Sequence, residues 1–200
     1  MRHQLPILGQ PAPERADAAR NRQKIIDCAN RMIAERGAAQ LSLDEVAREA
    51  CVGVGTVYRR FKDQAGLIFA LIDEHERQFQ AAFLSGPPPL GPGAPAGERV
   101  AAFLDAVVDY HVAQLDLFVL LEKGAGGFNG PYRVRHTHLM TLLAELRPDA
   151  DPRFLADALL APVSAVLVNF QRTKRGMTVE HIKTEVGKLV EAVSRGNDRR

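Results

Sequence analysis

No run of residues in this sequence is expected to be long and apolar enough to span a membrane. The N-terminus carries Arg2 but lacks the continuous apolar core of a signal peptide, so a cytoplasmic chain with no membrane partner is expected. Excess charge of one sign is also scarce. The chain has 26 Lys and Arg against 24 Asp and Glu, a net +2, and no overall basicity announces a nucleic acid. The excess is uneven, with 11 basic and 8 acidic residues in 1–66 but 15 and 16 in 67–200. There are only two cysteines, Cys28 and Cys51, both within expected helical structure. A structural disulfide is not expected in such a compartment, and both read as small core residues.

Catalytic and metal-binding patterns are missing as well. His136 and His138 are two apart, so they point to different helix faces and cannot form a paired-histidine zinc face. Gly53-Val-Gly55 lacks the third glycine of a dinucleotide fingerprint and follows no strand. Gly124–Gly127 follows a helical pattern, not a strand, which argues against a phosphate-cradling loop. The glutamates of the second half show no paired helical metal-ligand spacing. There is no strand-rich region and no internal repeat. An all-α chain without metal or cofactor, and not an enzyme, is expected.

The informative stretch is Leu41–Lys62, LSLDEVAREACVGVGTVYRRFK. Ser42 with Glu45 three residues on has the spacing of a capping box, and Leu41 with Val46 that of a hydrophobic staple. Val46, Ala47 and Ala50 give a short helix one apolar face. Cys51, Val52 and Gly53 interrupt it, with Gly53 able to take a positive φ. Val54, Val57 and Phe61 then mark a second helix, whose other faces carry Thr56, Tyr58, Arg59 and Arg60. Helix, tight turn and cationic helix are the parts that lay a helix into the major groove of DNA.

The stretch resembles the helix-turn-helix of the TetR family of bacterial transcriptional regulators. The resemblance is carried by Ile25, Ile26, Ala29 and Gly37, then by Ser42, Val46, Ala47, Gly55, Thr56, Tyr58, Phe61 and Leu67. It runs from Arg20 to Leu67, about a quarter of the chain, and its most specific feature is the Tyr-x-x-Phe end of the second helix. Two positions depart from the family pattern: Cys51 stands where glycine is common, and Gln64 where lysine is common, leaving Lys62 as the substitute cation. Thr56 and Arg59 project from the second helix towards base edges, with Val54 placed to pack on a thymine methyl and Gly53 to bring backbone close to DNA. The resemblance implies phosphate contacts from Ser42, Tyr58, Arg60 and Lys62.

Around this stretch, residues 1–15, with three prolines, read as a flexible arm. Asp17 is placed to cap a first helix ending near Arg36, with Gly37 at its C′ position. Arg20 and Arg22 stand where they can reach phosphate. Asp63 is placed to cap a fourth helix running to about Leu84. The tract Ser85–Gly97, SGPPPLGPGAPAG, is expected to be a mobile surface connector. Beyond it come a helix from Glu98 to about Leu115, a short one over Leu117–Glu122, and one started by Asn129 and Pro131. A long helix Pro152–Arg175, kinked at Pro162, and a last one capped by Thr178 complete the chain.

The expected architecture is an arm and helix-turn-helix head, 1–62, on a helical ligand-binding and dimerisation domain, 63–200. Helices of the second domain surround an effector cavity in the family, which implies ligand contacts from Phe103, Val107, Tyr110, His111, Phe118, Glu122, Tyr132, His136 and Phe170. The apolar last two helices suggest a homodimer interface using Ala158, Ala161, Ala165, Val166 and Val190. The implied function is a regulator that binds a near-palindromic double-stranded DNA operator until a hydrophobic or amphiphilic small molecule releases it. A helical enzyme with a vestigial head, or a nonspecific DNA-binding protein, are the alternatives.

Overall fold

The computed structural model describes residues 16–120 and 130–195, and among these every regular element is helical. The chain forms two compact units, 1–70 and 71–200.

In the first unit α1 (Ala16–Arg36) is followed by a 3-10 turn (Ala38–Gln40), α2 (Leu43–Glu49) and α3 (Val54–Phe61). Ile25, Ile26, Cys28, Ala29 and Met32 are the buried stripe of α1. Gly37 ends that helix at φ 82°, its N–H donating to Ile33 O at 2.8 Å, as its position suggested. Asp17 does not cap α1: it lies inside the first turn and pairs with Arg20.

The start of α2 departs from the capping-box expectation. Ser42 is the N-cap residue, but its side chain makes no capping hydrogen bond. Glu45 faces Arg36 at 3.5 Å and Arg48 at 3.6 Å, and these cations compete for the carboxylate. Leu41 and Val46, the staple positions, are both buried. The positive φ of the turn falls at Cys51 (55°), not at Gly53 (−60°), and Cys51 is exposed whereas Cys28 is buried. The turn therefore takes its left-handed residue at the position where glycine was noted as missing, two residues earlier than expected.

The fourth helix, α4 (Gln64–Ser85), contains the boundary between the units. Asp63 caps it, accepting from Gly66 N–H at 2.8 Å. In the second unit follow α5 (Ala96–Leu120), α6 (Gly130–Leu146), α7 (Pro152–Leu160), α8 (Ala165–Arg175) and α9 (Val179–Ser194). The 25-residue α5 runs unbroken past Leu117, the expected start of a separate short helix, to Leu120. It packs against α6, α8 and α9, and α6 packs against α7. Phe83, Phe103, Leu104, Leu139 and Leu143 are fully buried at the centre of this core. Each such side chain contributes about 1.5–3 kcal/mol.

Pro162 breaks its helix outright. Without an N–H, and with its ring set against the preceding turn, it stops α7 at Leu160, and Ser164, in extended conformation, starts α8. Together Pro152–Arg175 is long and apolar enough, by length and composition, to cross a membrane, contrary to the reading of the sequence, but it is two helices with a turn between them. The Ser85–Gly97 tract is folded into turns: Gly91 N–H donates to Pro87 O at 2.9 Å and Leu90 packs on the core. A Cβ on Gly91 would lie 1.9 Å from the Gly86 carbonyl oxygen, so only glycine fits. Asp151 and Thr178 cap α7 and α9, accepting from Arg153 N–H at 2.9 Å and His181 N–H at 3.1 Å.

Candidate functional site

The outward face of α3 is set by what its inward face buries. Val57 and Phe61 are inside, which turns Val54, Gly55, Tyr58 and Arg59 to the surface and leaves Val54 46% and Tyr58 45% exposed. Large apolar and aromatic groups left exposed next to arginine suit apolar contact with thymine methyls and hydrogen bonds to base edges. Gly53 is exposed at the N-cap, and Thr56 is half-buried one turn on. The Asp44 carboxylate of α2 lies beside Tyr58 and raises its phenol pKa. Lys62 is exposed at φ 67°, ψ −57°, and the Asp63 N–H donates back to Phe61 O at 2.8 Å, a three-residue γ-turn that ends α3 sharply.

The predicted phosphate contacts are placed unequally. Ser42 is half-buried with its hydroxyl not engaged in a cap. Arg60 turns back and donates from its Nη1 to Ala18 O at 3.1 Å, fastening α3 to the start of α1. Arg20 is engaged by Asp17, and Arg22 is half-buried. Gln64 is half-buried, and Lys62 is the exposed cation at this corner.

In the second unit the expected ligand set is dispersed. Phe103 and Val107 lie in the closed core. Tyr110 and His111 belong to a buried polar cluster. His111 Nδ1–H donates to Val163 O at 2.7 Å, and Arg135 Nη1 donates to His111 Nε2 at 3.2 Å, which fixes the neutral Nδ1–H tautomer. Arg135 also pairs with Glu76, and its guanidinium lies 4.7 Å from the Tyr110 ring centroid. Burial first, then Arg135, lowers His111 from 6.5 to about 4. Phe118 is half-buried with its ring 6.4 Å from that of His111. Tyr132 donates to Asp157 at 2.5 Å, and His136 donates to Arg153 O at 3.2 Å. Phe170 is exposed on α8 with Arg175 5.2 Å from its centroid. Glu122 lies outside the described residues.

Two cavities lie in the second unit. One, of about 250 Å³, is lined by Tyr132, Arg133, His136, Thr137 and Asp157. The other, of about 700 Å³, is lined by Leu84, Arg99, Arg133, Val134, Thr137, His138, Thr141 and Leu142. Of the expected ligand set only Tyr132 and His136 border either one. The sequence reading missed Arg99, Arg133 and His138. Their only sequence signal is a cation or imidazole set among apolar helix positions.

On the faces expected to pair with a second copy, Ala158 and Ala161 are exposed and Ala165 half-buried, and Val166 is 81% exposed. Val190 is turned inward and belongs to the core of its own chain; Leu189 beside it is the exposed one. Phe154, 71% exposed, lies on α7.

A helix-turn-helix with an outward, basic second helix, followed by a unit whose described elements are all helical, has the parts of a DNA-binding regulator. Residues 25–71 match the family model for bacterial regulatory proteins of the tetR family. An HTH-type transcriptional regulator of Staphylococcus aureus (strain MRSA252) is 25% identical over 176 residues, covering 83% of this chain and 90% of that one. The fold is shared with a transcriptional regulator from Saccharomonospora viridis in complex with choline, at TM-score 0.64 and 18% identity over 86% of this chain and 96% of that chain. It is shared also with FadR of Bacillus subtilis in complex with stearoyl-CoA, at TM-score 0.60 and 19% identity over 84% and 96%. The chain's head is that of the TetR family of transcriptional regulators, and the proteins the chain matches are regulators, not enzymes.

Proposed function

We propose that the chain is a cytoplasmic homodimeric repressor that leaves a near-palindromic operator when its second unit binds a hydrophobic or amphiphilic small molecule. The observation that carries the DNA-reading half is the outward face of α3, where Val54, Tyr58 and Arg59 stay exposed because Val57 and Phe61 take up the buried side. In this reading Gly53, Val54, Thr56 and Arg59 approach base edges, and Ser42, Tyr58, Arg60 and Lys62 the phosphates. Phosphate contacts position the protein and base contacts specify the sequence. Two copies paired through α7, α8 and α9 present two such helices, and their two-fold symmetry is mirrored in the operator.

Release follows from linkage. A ligand that prefers the conformation with poorly spaced heads weakens operator binding, and the operator weakens ligand binding by the same factor. Because α4 carries residues of both units, a ligand that displaces its C-terminal half displaces a helix whose N-terminal half belongs to the DNA-binding unit. The relatives in complex with choline and with stearoyl-CoA support a small-molecule effector without naming this one.

Selection from a random duplex pool tests the reading. A dominant near-palindromic sequence is expected, bound far more tightly than random duplex at the same salt. Against it Arg59→Ala loses about 1–3 kcal/mol and relaxes preference at one base pair per half-site. Equal affinity for every duplex would mean a nonspecific binder. Unchanged affinity and preference in the variant would remove Arg59 from the reading set.

A further inference from the structure

The larger cavity opens between α4, α5 and α6, and its lining has two parts. Leu84, Val134 and Leu142 make an apolar wall. Arg99, Arg133 and His138 make a cationic and donor-rich one, and no carboxylate is among the lining residues. Neither arginine has an ion-pair partner among the described residues. Two nitrogens of this wall, Arg99 Nε and His138 Nε2, are buried and without a hydrogen-bond partner. Buried polar nitrogens left unpaired are costly and rare; Arg99 Nε is a donor, His138 Nε2 is one in the Nε2–H tautomer, and two at one cavity wall point to a polar ligand.

The imidazole is packed against aromatic rings. Its ring lies 4.5 Å from the Phe83 centroid and 4.9 Å from that of Phe103, contacts that it would lose by swinging out to water. Burial, and after it the Arg99 charge, keep it neutral, so it presents a hydrogen bond and not a second full charge. Thr141 is already committed, its hydroxyl donating to Thr137 O at 2.9 Å. The only uncommitted charges at the wall are the guanidiniums. Guanidinium and carboxylate match as a charge-assisted, often two-pronged pair. The volume of about 700 Å³ is that of a small-molecule site.

We propose that this cavity binds an amphiphilic carboxylate, whose head group accepts from Arg99 Nε–H and His138 Nε2–H with Arg133 at the mouth, and whose apolar body lies on Leu84, Val134 and Leu142. As the effector site of a repressor it rests on the function proposed above; as a binding site it does not.

The probe is decanoate below its micelle concentration, with decanol and decyltrimethylammonium as matched controls, titrated calorimetrically into the full chain. Decanoate is expected to bind at least about tenfold more tightly than decanol, the size of one charge-assisted hydrogen bond, and the ammonium not at all. Arg99→Met should lose about tenfold for decanoate and nothing for decanol. His138→Phe keeps the ring packed on Phe83 and Phe103 and should show the same selective loss. Arg133→Met, at an exposed position that leaves the fold intact, guards against a misfolded Arg99 variant and should weaken decanoate as well.

Decanol binding as well as decanoate, or wild-type affinity in folded Arg99→Met and His138→Phe, would overturn the site and leave the DNA reading standing. Preference for anionic phospholipid vesicles over decanoate would overturn the small-molecule assignment. Operator affinity is measured in parallel. Release by decanoate that is lost in Arg99→Met supports the effector role. Binding with no change in operator affinity overturns that role while upholding the site.

Discussion

At the scale of single residues, Cys51 holds φ 55° in the turn between α2 and α3 with a side chain that disfavours it. A left-handed L-residue costs roughly 1–2 kcal/mol, and glycine there returns some of it as unfolded-chain entropy. Cys51→Gly is therefore expected to stabilise the protein by up to about 1 kcal/mol in urea melts; destabilisation would mean that the exposed thiol makes contacts that offset the strain. The two depressed histidines give a second expectation. His111 and His138 titrate near pH 4 when folded against an ordinary 6.5, in each case through burial first and a neighbouring guanidinium second. The unfolded chain takes up these protons first, so stability is level above pH 6.5 and falls as pH drops from there towards 4. His138→Phe removes one titrating group and should flatten the fall in melting temperature over that window. A slope identical to wild type would show that His138 is accessible to protons in the folded chain.

At the scale of elements, the buried polar cluster ties α4, α5 and α6 together. Glu76 and Arg135 are 6% and 8% exposed and pair with each other, and Glu76 also accepts from Gln80 at 2.9 Å. Removing one partner strands the other charge out of water, so Arg135→Met should cost about 3–5 kcal/mol. The double variant Glu76→Leu with Arg135→Met should recover much of that, since replacing both members of a buried pair is often close to neutral. Thermal melts of the single and double variants decide it, and a double variant as unstable as the single would mean that Glu76 is not the group left stranded. This pair also shows where sequence reading stops. Asp63 and Thr178 were legible as caps because a cap joins a side chain to an N–H two or three residues away. Glu76 and Arg135 are 59 residues apart, and Arg99 and His138 meet only because α5 and α6 pack. No local pattern announces such pairs. The Glu45 half of the capping box failed for a related reason: Arg36, on another helix, competes for its carboxylate.

At the scale of the whole molecule, α7, α8 and α9 leave Phe154, Val166, Phe170 and Leu189 exposed, among them the two most exposed large hydrophobic side chains described. Large apolar side chains gathered on an exposed face mark a protein interaction surface. If the proposed homodimer pairs here, Val166→Glu puts a charge at its centre and should raise the dimer dissociation constant at least tenfold, about 1.4 kcal/mol. Sedimentation of the variant checks it, with operator affinity falling in step. A variant that stays dimeric and binds DNA normally would move the interface elsewhere. The apolar character of these helices was readable in the sequence; which of two adjacent residues, Leu189 or Val190, faces outward was not, because a helix can bury either one until its neighbours are known.

The passage of the unit boundary through α4 has a consequence for cutting the chain. Compact units are ordinarily joined by an exposed linker that a protease can thread and nick. Here the boundary between Ala70 and Leu71 lies seven residues into a 22-residue helix, with every neighbouring amide inside the helical ladder. A protease reaches that bond only when the helix opens locally, at a free energy set by the packing on both sides of it. A head fragment ending there would also lose the rest of its own last helix, so the DNA-binding unit is not a part that can be trimmed cleanly from this protein.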